Sequence, residues 1–115
     1  MNNDELQKHV MSGRVKLSPD SDNDYLYRAP APRIECRDGF SFSVQASAHH
    51  YCRPRAVMTW PSLETYTAFE VGFPSQEEEL LMRYAEDQSK PTETVYGYVP
   101  VDTVLMVIAK HGGKI

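Results

Sequence analysis

The chain has 115 residues, 41% of them hydrophobic and 24% charged, with a formal charge of -4 at neutral pH. That is one domain's length, enough for a core but with few residues to spare for a large active site. The acidic balance argues against general nucleic-acid or anionic-membrane affinity, and no apolar run approaches the roughly 20 residues a spanning helix needs.

Residues 1–29 are polar, carry "SPDSDND" at 18–24 and show no sustained hydrophobic period. They are expected to form a flexible arm, with Tyr25, Leu26 and Tyr27 as its one apolar cluster. "MNNDELQKHVMSGRVKLSP" lacks the apolar stretch of a secretory leader. A cytoplasmic location follows as the expectation, with Cys36 and Cys52 as reduced thiols. "APAP", 29–32, is stiff and extended and leads into a single domain, 30–115.

"RIECRDGFSFSVQA" has the alternation of a hairpin. Ile34 and Cys36 share a face on one side of Asp38-Gly39, and Phe40, Phe42 and Val44 share one on the other. Asp-Gly accepts the positive φ of a tight turn. Residues 47–65 have no period, and Pro54 and Pro61 interrupt them. A long loop in a small domain is usually functional or mobile. "TYTAFEVGF", 65–73, reads as a strand with Thr67, Phe69, Val71 and Phe73 on one face.

"PSQEEELLMRYAED" predicts a short helix with a Ser75/Glu78 capping box. "TVYGYV", 94–99, predicts a strand with Tyr96 and Tyr98 on one face, either as packing or as the aromatic floor of a pocket. Pro100 opens a second helix, with Val101, Val104, Leu105 and Ile108 on its inner face and Gly112 as its left-handed stop. The order β-β-loop-β-α-β-α implies an α+β fold: a small antiparallel or mixed sheet with two helices packed on one face. Such a sheet leaves edges that a homo-oligomer would pair.

The densest chemistry is "HHYCRPR", 49–55. Cys36, His49, His50 and Cys52 have zinc-ligand chemistry. However, Cys36 belongs to the inward face of the hairpin, and adjacent histidines rarely reach one ion, so no metal or other cofactor is expected. Cys52 near His49, His50 and Arg53 has the makings of a reactive thiolate, but a lone cysteine is more often a small buried hydrophobe. No catalytic residue is assigned.

Anion binding is the better functional reading of the run. Arg53 and Arg55 flank a stiffening proline, and guanidinium forks match phosphate or carboxylate. The candidate ligand residues are His49, His50, Tyr51, Arg53, Arg55, Trp60 and Tyr66, with the aromatics available for stacking. The competing reading is that the arginines bridge the acids at 70, 77–79, 86 and 87.

The order "APRIEC", "DGFSFSVQAS", "HYC", "PR", "YTAFEVGFPS", "YAED", "PTETVYGYVPVD" and "HGG", over about residues 29 to 113, resembles a family of small phage- and prophage-encoded proteins. The resemblance assigns no activity and no site residues. It implies a setting in which such proteins bind and disable a host protein or sequester a host signal, with a possible counter-defence role. Three function classes follow. The first is a non-catalytic accessory protein that binds a host protein or signal. The second is a binder of a small anionic or nucleotide ligand through 49–55. The third is a small Cys/His enzyme.

Overall fold

A computed structural model of the protein describes residues 1–12, 14–16, 25, 26 and 30–115. The fold is α+β, with a four-stranded antiparallel sheet and two helices. Its elements in chain order are α1 (Asn3–Val10), β1 (Val15–Lys16), β2 (Tyr25–Leu26), β3 (Ile34–Glu35), β4 (Ser41–Gln45), β5 (Ala68–Gly72), β6 (Val95–Pro100) and α2 (Val101–Lys110). The short β1 and β2 pair with each other, and β3-β4-β5-β6 lie side by side in sequence order.

The hairpin forms where the alternation places it. Ile34 pairs with Phe42 and Glu35 with Ser41. The turn closes through Gly39 N–H to Cys36 O at 3.1 Å and Cys36 N–H to Phe40 O at 2.8 Å. Gly39 sits at φ +98°, which side-chain-bearing residues rarely adopt. Ile34, Cys36, Phe40, Phe42 and Val44 are all buried.

Residues 1–12 depart from the expected flexible arm. Asn2 caps α1 in a reciprocal capping box: its side chain accepts from Glu5 N–H at 2.9 Å, and the Glu5 carboxylate accepts from Asn2 N–H at 3.1 Å. Leu6, Val10 and Met11 then enter the core. Gln7, fully buried, donates to Tyr66 O at 2.8 Å and accepts from Tyr66 N–H at 2.9 Å, as a neighbouring strand would. An eight-residue helix has little stability alone, so this docking holds it. The rest of the arm expectation, on 17–24 and 27–29, lies outside the described residues.

The helix expected over 75–87 is absent. That stretch holds turns and one 3-10 turn, Met82–Tyr84. Both presumed capping residues are engaged elsewhere. Ser75 pairs with the start of β4, its N–H donating to Ser41 O at 2.8 Å and its hydroxyl accepting from Ser41 N–H at 3.0 Å. Glu78 is buried against His111 and Lys110. The second helix of the fold is therefore α1.

α2 follows Pro100 as expected and buries Val104, Val107 and Ile108. Gly112 and Gly113 end it at φ +91° and +90°, with Gly113 N–H returning to Ile108 O at 2.9 Å. The tail then covers the outer side of β3: Lys114 bridges Cys36, and Ile115 N–H donates to Glu35 O at 2.9 Å. The outer side of β6 is covered by Ala85 and Glu86 and by Tyr51. Both sheet edges thus have partners within the chain.

Candidate functional site

β5 and β6 are out of step at one place. Phe69 faces Val99 and Val71 faces Tyr96, so the single residue Glu70 opposes both Gly97 and Tyr98. This is a β-bulge, and it re-aims the side chains that follow it. Tyr96 stays in the core, whereas Tyr98, at φ +54°, is 42% exposed. The two tyrosines therefore do not share a face. Phe73 leaves the expected inner face of β5 in the same way, at φ +49° and 50% exposed.

The bulge meets the 47–55 segment. Tyr98 N–H donates to Tyr51 O at 3.0 Å, and the two rings lie 6.0 Å apart. A Cβ on Gly97 would lie 3.4 Å from the Tyr51 Cβ, at the close edge of ordinary contact, so Tyr51 packs directly over this glycine. Arg53 is tied to the sheet, its N–H donating to Ala68 O at 3.0 Å while its carbonyl accepts from Thr67 N–H at 2.8 Å. The Arg53–Pro54 peptide bond is cis.

An open groove of about 450 Å³ results, lined by Tyr51, Gly97 and Tyr98 together with Arg83, Tyr84, Glu86 and Val95. That volume lies in the range of small-molecule sites. Each of three guanidiniums in and beside it lies over a tyrosine ring: Arg53 over Tyr98 at 5.1 Å, Arg55 over Tyr51 at 5.7 Å and Arg83 over Tyr84 at 5.5 Å. All three arginines are exposed. None has a carboxylate within 4.0 Å among the described residues.

Three of the acids that competed for these arginines, Glu70, Glu78 and Asp87, are occupied elsewhere. Glu70 accepts from Tyr51 N–H at 3.3 Å and lies 3.9 Å from the His50 ring. Glu78 pairs with His111 and Lys110. Asp87 accepts from the Ser89 N–H and hydroxyl, which hold its carboxyl below the usual range. An exposed cation–π contact is worth about 0.5–1 kcal/mol, less than the 1.5–3 kcal/mol of a hydrogen bond to a charged group. The stacked guanidiniums are therefore held in place but remain open to an anion.

The other sequence candidates fall into different places. His49 is exposed and contributes its N–H to the Ser47 hydroxyl at 3.0 Å. His50 is turned inward, with Nδ1 2.7 Å from the Ser47 hydroxyl, and burial lowers its pKa. Tyr66 is 1% exposed. Its hydroxyl donates to Ala56 O at 2.5 Å and accepts from Met58 N–H at 3.2 Å and from Arg14 at 2.8 Å. It is a strut for the loop, and its ring is closed to a ligand. Trp60 is partly exposed but does not line the groove.

Cys52 is 1% exposed, and its thiol donates to Ser47 O at 3.1 Å. Burial pushes its pKa up, opposite to the direction a nucleophile needs. Cys36 is fully buried and likewise raised. Among the described residues no group of three or more His, Cys, Asp or Glu is placed to hold a metal ion, and no helix is long and apolar enough to cross a membrane.

A second polar cluster lies at the hairpin turn. His111 has Nδ1 2.6 Å from Asp38 and Nε2 2.7 Å from Glu78, and its ring stacks on Phe40 at 4.0 Å. Burial opposes charge on this imidazole, but hydrogen bonds to two carboxylates outweigh it and raise the pKa. The cluster ties α2, the hairpin and the 75–82 turns together.

Comparison of the chain with protein-family models, curated proteins and solved structures finds no match.

The sequence singled out Tyr51, Arg53 and Arg55, which the fold does bring together. It did not single out Arg83, Tyr84, Glu86 or Gly97. The signal for Gly97 was its place inside a strand, which marks a bulge or a close backbone approach; Arg83, Tyr84 and Glu86 arrive through the pairing of 85–86 with β6, which no local pattern announces.

Proposed function

We propose that the protein is a non-catalytic binding protein whose Tyr51–Tyr98 groove takes a small anionic ligand carrying a planar ring, in chemical class a nucleotide. The observation that carries this reading is the set of three exposed arginines, each on a tyrosine face and none paired with a carboxylate among the described residues. Guanidiniums supply phosphate recognition, and exposed tyrosine faces supply stacking. The net charge of -4 disfavours a long polyanion and favours a compact ligand. The buried, protonated Cys52 supports binding over covalent chemistry. Together with the resemblance to phage-encoded proteins, the action proposed is sequestration of a host signal.

The test is titration calorimetry of the full chain with nucleoside monophosphates, repeated on R53A/R55A. Binding should weaken about ten- to hundred-fold for each arginine replaced. Melting should change little, since exposed arginines contribute little to stability. An early-melting variant that binds normally would make the segment a structural brace.

A further inference from the structure

The groove has two chemically different ends. Arg53 and Arg55 lie over Tyr98 and Tyr51 at one end. At the other, Glu86 is held on the outer side of β6 by its N–H to Val95 O at 3.0 Å, close in sequence to the stacked pair Arg83 and Tyr84. Val95 and Tyr98 are three residues apart on β6, and the bulge between them keeps that span below the roughly 10 Å of three extended strand residues. That is a separation one mononucleotide can bridge.

Glu86 is the acidic residue of the lining, and no hydrogen bond or ion pair engages its carboxylate among the described residues. An ionised carboxylate only accepts hydrogen bonds, and it repels phosphate. The phosphate therefore belongs at the Arg53/Arg55 end, where two guanidiniums stand without a carboxylate beside them among the described residues, whereas Arg83 shares its end with Glu86 and offsets part of that charge; the Glu86 end suits a neutral group with donors to offer. In a nucleotide whose ring stacks on the tyrosines, the neutral donor-bearing group between base and phosphate is the sugar. We infer that Glu86 reads the ribose hydroxyls, so that the groove selects ribonucleotides over ligands lacking the vicinal diol. This rests on the reading of the groove as a nucleotide site.

The experiment compares AMP with 2′,3′-dideoxy-AMP on the full-length protein and on E86Q, by calorimetry with melting curves as a folding control. Wild type should prefer AMP by roughly tenfold or more, the effect of a hydrogen bond to a charged group. E86Q should erase that ratio, even though removing a negative charge strengthens phosphate binding overall. The ratio, and not either affinity, is therefore the readout. Equal binding of the two ligands by wild type, or an unchanged ratio in E86Q, overturns the assignment of Glu86 and leaves the groove a nucleotide site. Failure of wild type to bind either ligand removes both readings.

Discussion

Replacing His111 by alanine strands a buried charge. Glu78 is 2% exposed and would keep only Lys110 at 3.0 Å and the Leu80 N–H at 2.8 Å. Removing one partner of a buried ion pair costs about 3–5 kcal/mol. Lys110 is half-exposed and still compensates part of the charge, which places the loss near 3 kcal/mol. Loss of the ring stacked on Phe40 adds about 0.5–1 kcal/mol. For a domain of this size the melting temperature should fall by about 10–20 °C.

The pH dependence has a definite sign. The raised His111 pKa contributes stability that is complete below the unfolded value, about 6.5, and is lost as pH rises through the folded value. Burial opposes charge on Glu78, but hydrogen bonds to Leu80, His111 and Lys110 outweigh it and lower its pKa. Asp38 is lowered by hydrogen bonds from Phe40 and His111. Both carboxylates contribute above their unfolded values, near 4, and lose that contribution as pH falls through the folded ones. The stability difference between wild type and H111A should therefore be largest between about pH 4.5 and 6.5 and should shrink in alkali. His9 and His50, lowered by burial, titrate in both proteins and cancel in the difference. Urea unfolding at pH 5.5 and 9 measures it. H111A/E78Q, with no stranded charge, should be more stable than H111A alone. A penalty under 1 kcal/mol that does not change with pH would refute the network.

Tyr98→Asn should leave stability unchanged or raise it by up to about 1 kcal/mol, because asparagine tolerates φ +54° better than tyrosine; it should also weaken nucleotide binding, and a marked loss of stability would show that the ring is structural. Gly97→Ala should set its Cβ in close contact with the Tyr51 Cβ, 3.4 Å away, and change ligand affinity more than melting temperature, as paired calorimetry and thermal scans would reveal. Cys52 should react with a thiol reagent only on unfolding, because it is buried and its thiol is raised; rapid stoichiometric labelling of native protein would contradict that.

What could be read from the sequence was local. The hairpin needed only alternation and Asp38-Gly39, and α2 only a helical period bounded by Pro100 and Gly112. The 75–87 stretch misled because Ser75 and Glu78 satisfy a local capping pattern while their side chains are claimed by Ser41 and His111, 34 and 33 residues away. α1 was hidden for the opposite reason. Its apolar face is only Leu6, Val10 and Met11, and its stability comes from contacts with residues far along the chain. Arg53 and Arg55 were visible as a pair, but their freedom from the acids depended on where every carboxylate went, which no spacing rule contains.

These tertiary ties also explain how an irregular segment can carry a shaped site. Residues 47–66 lack the repeating ladder of a strand, so their backbone groups need partners of other kinds. Gln7 supplies both bonds to the Tyr66 backbone, and Arg14 reaches Ala46 O, Met58 O and the Tyr66 hydroxyl. Arg53 pairs with Ala68, and Tyr51 O accepts from Tyr98. The segment is thus fixed from below by the N-terminal region and from the side by β5 and β6. A loop held in this way presents its outward groups, Tyr51, Arg53 and Arg55, with little ordering left to do when a ligand arrives, and preorganisation of that kind lowers the entropic cost of binding. The N-terminal region, which reads from sequence as a flexible arm, is then part of what holds the segment that carries the groove.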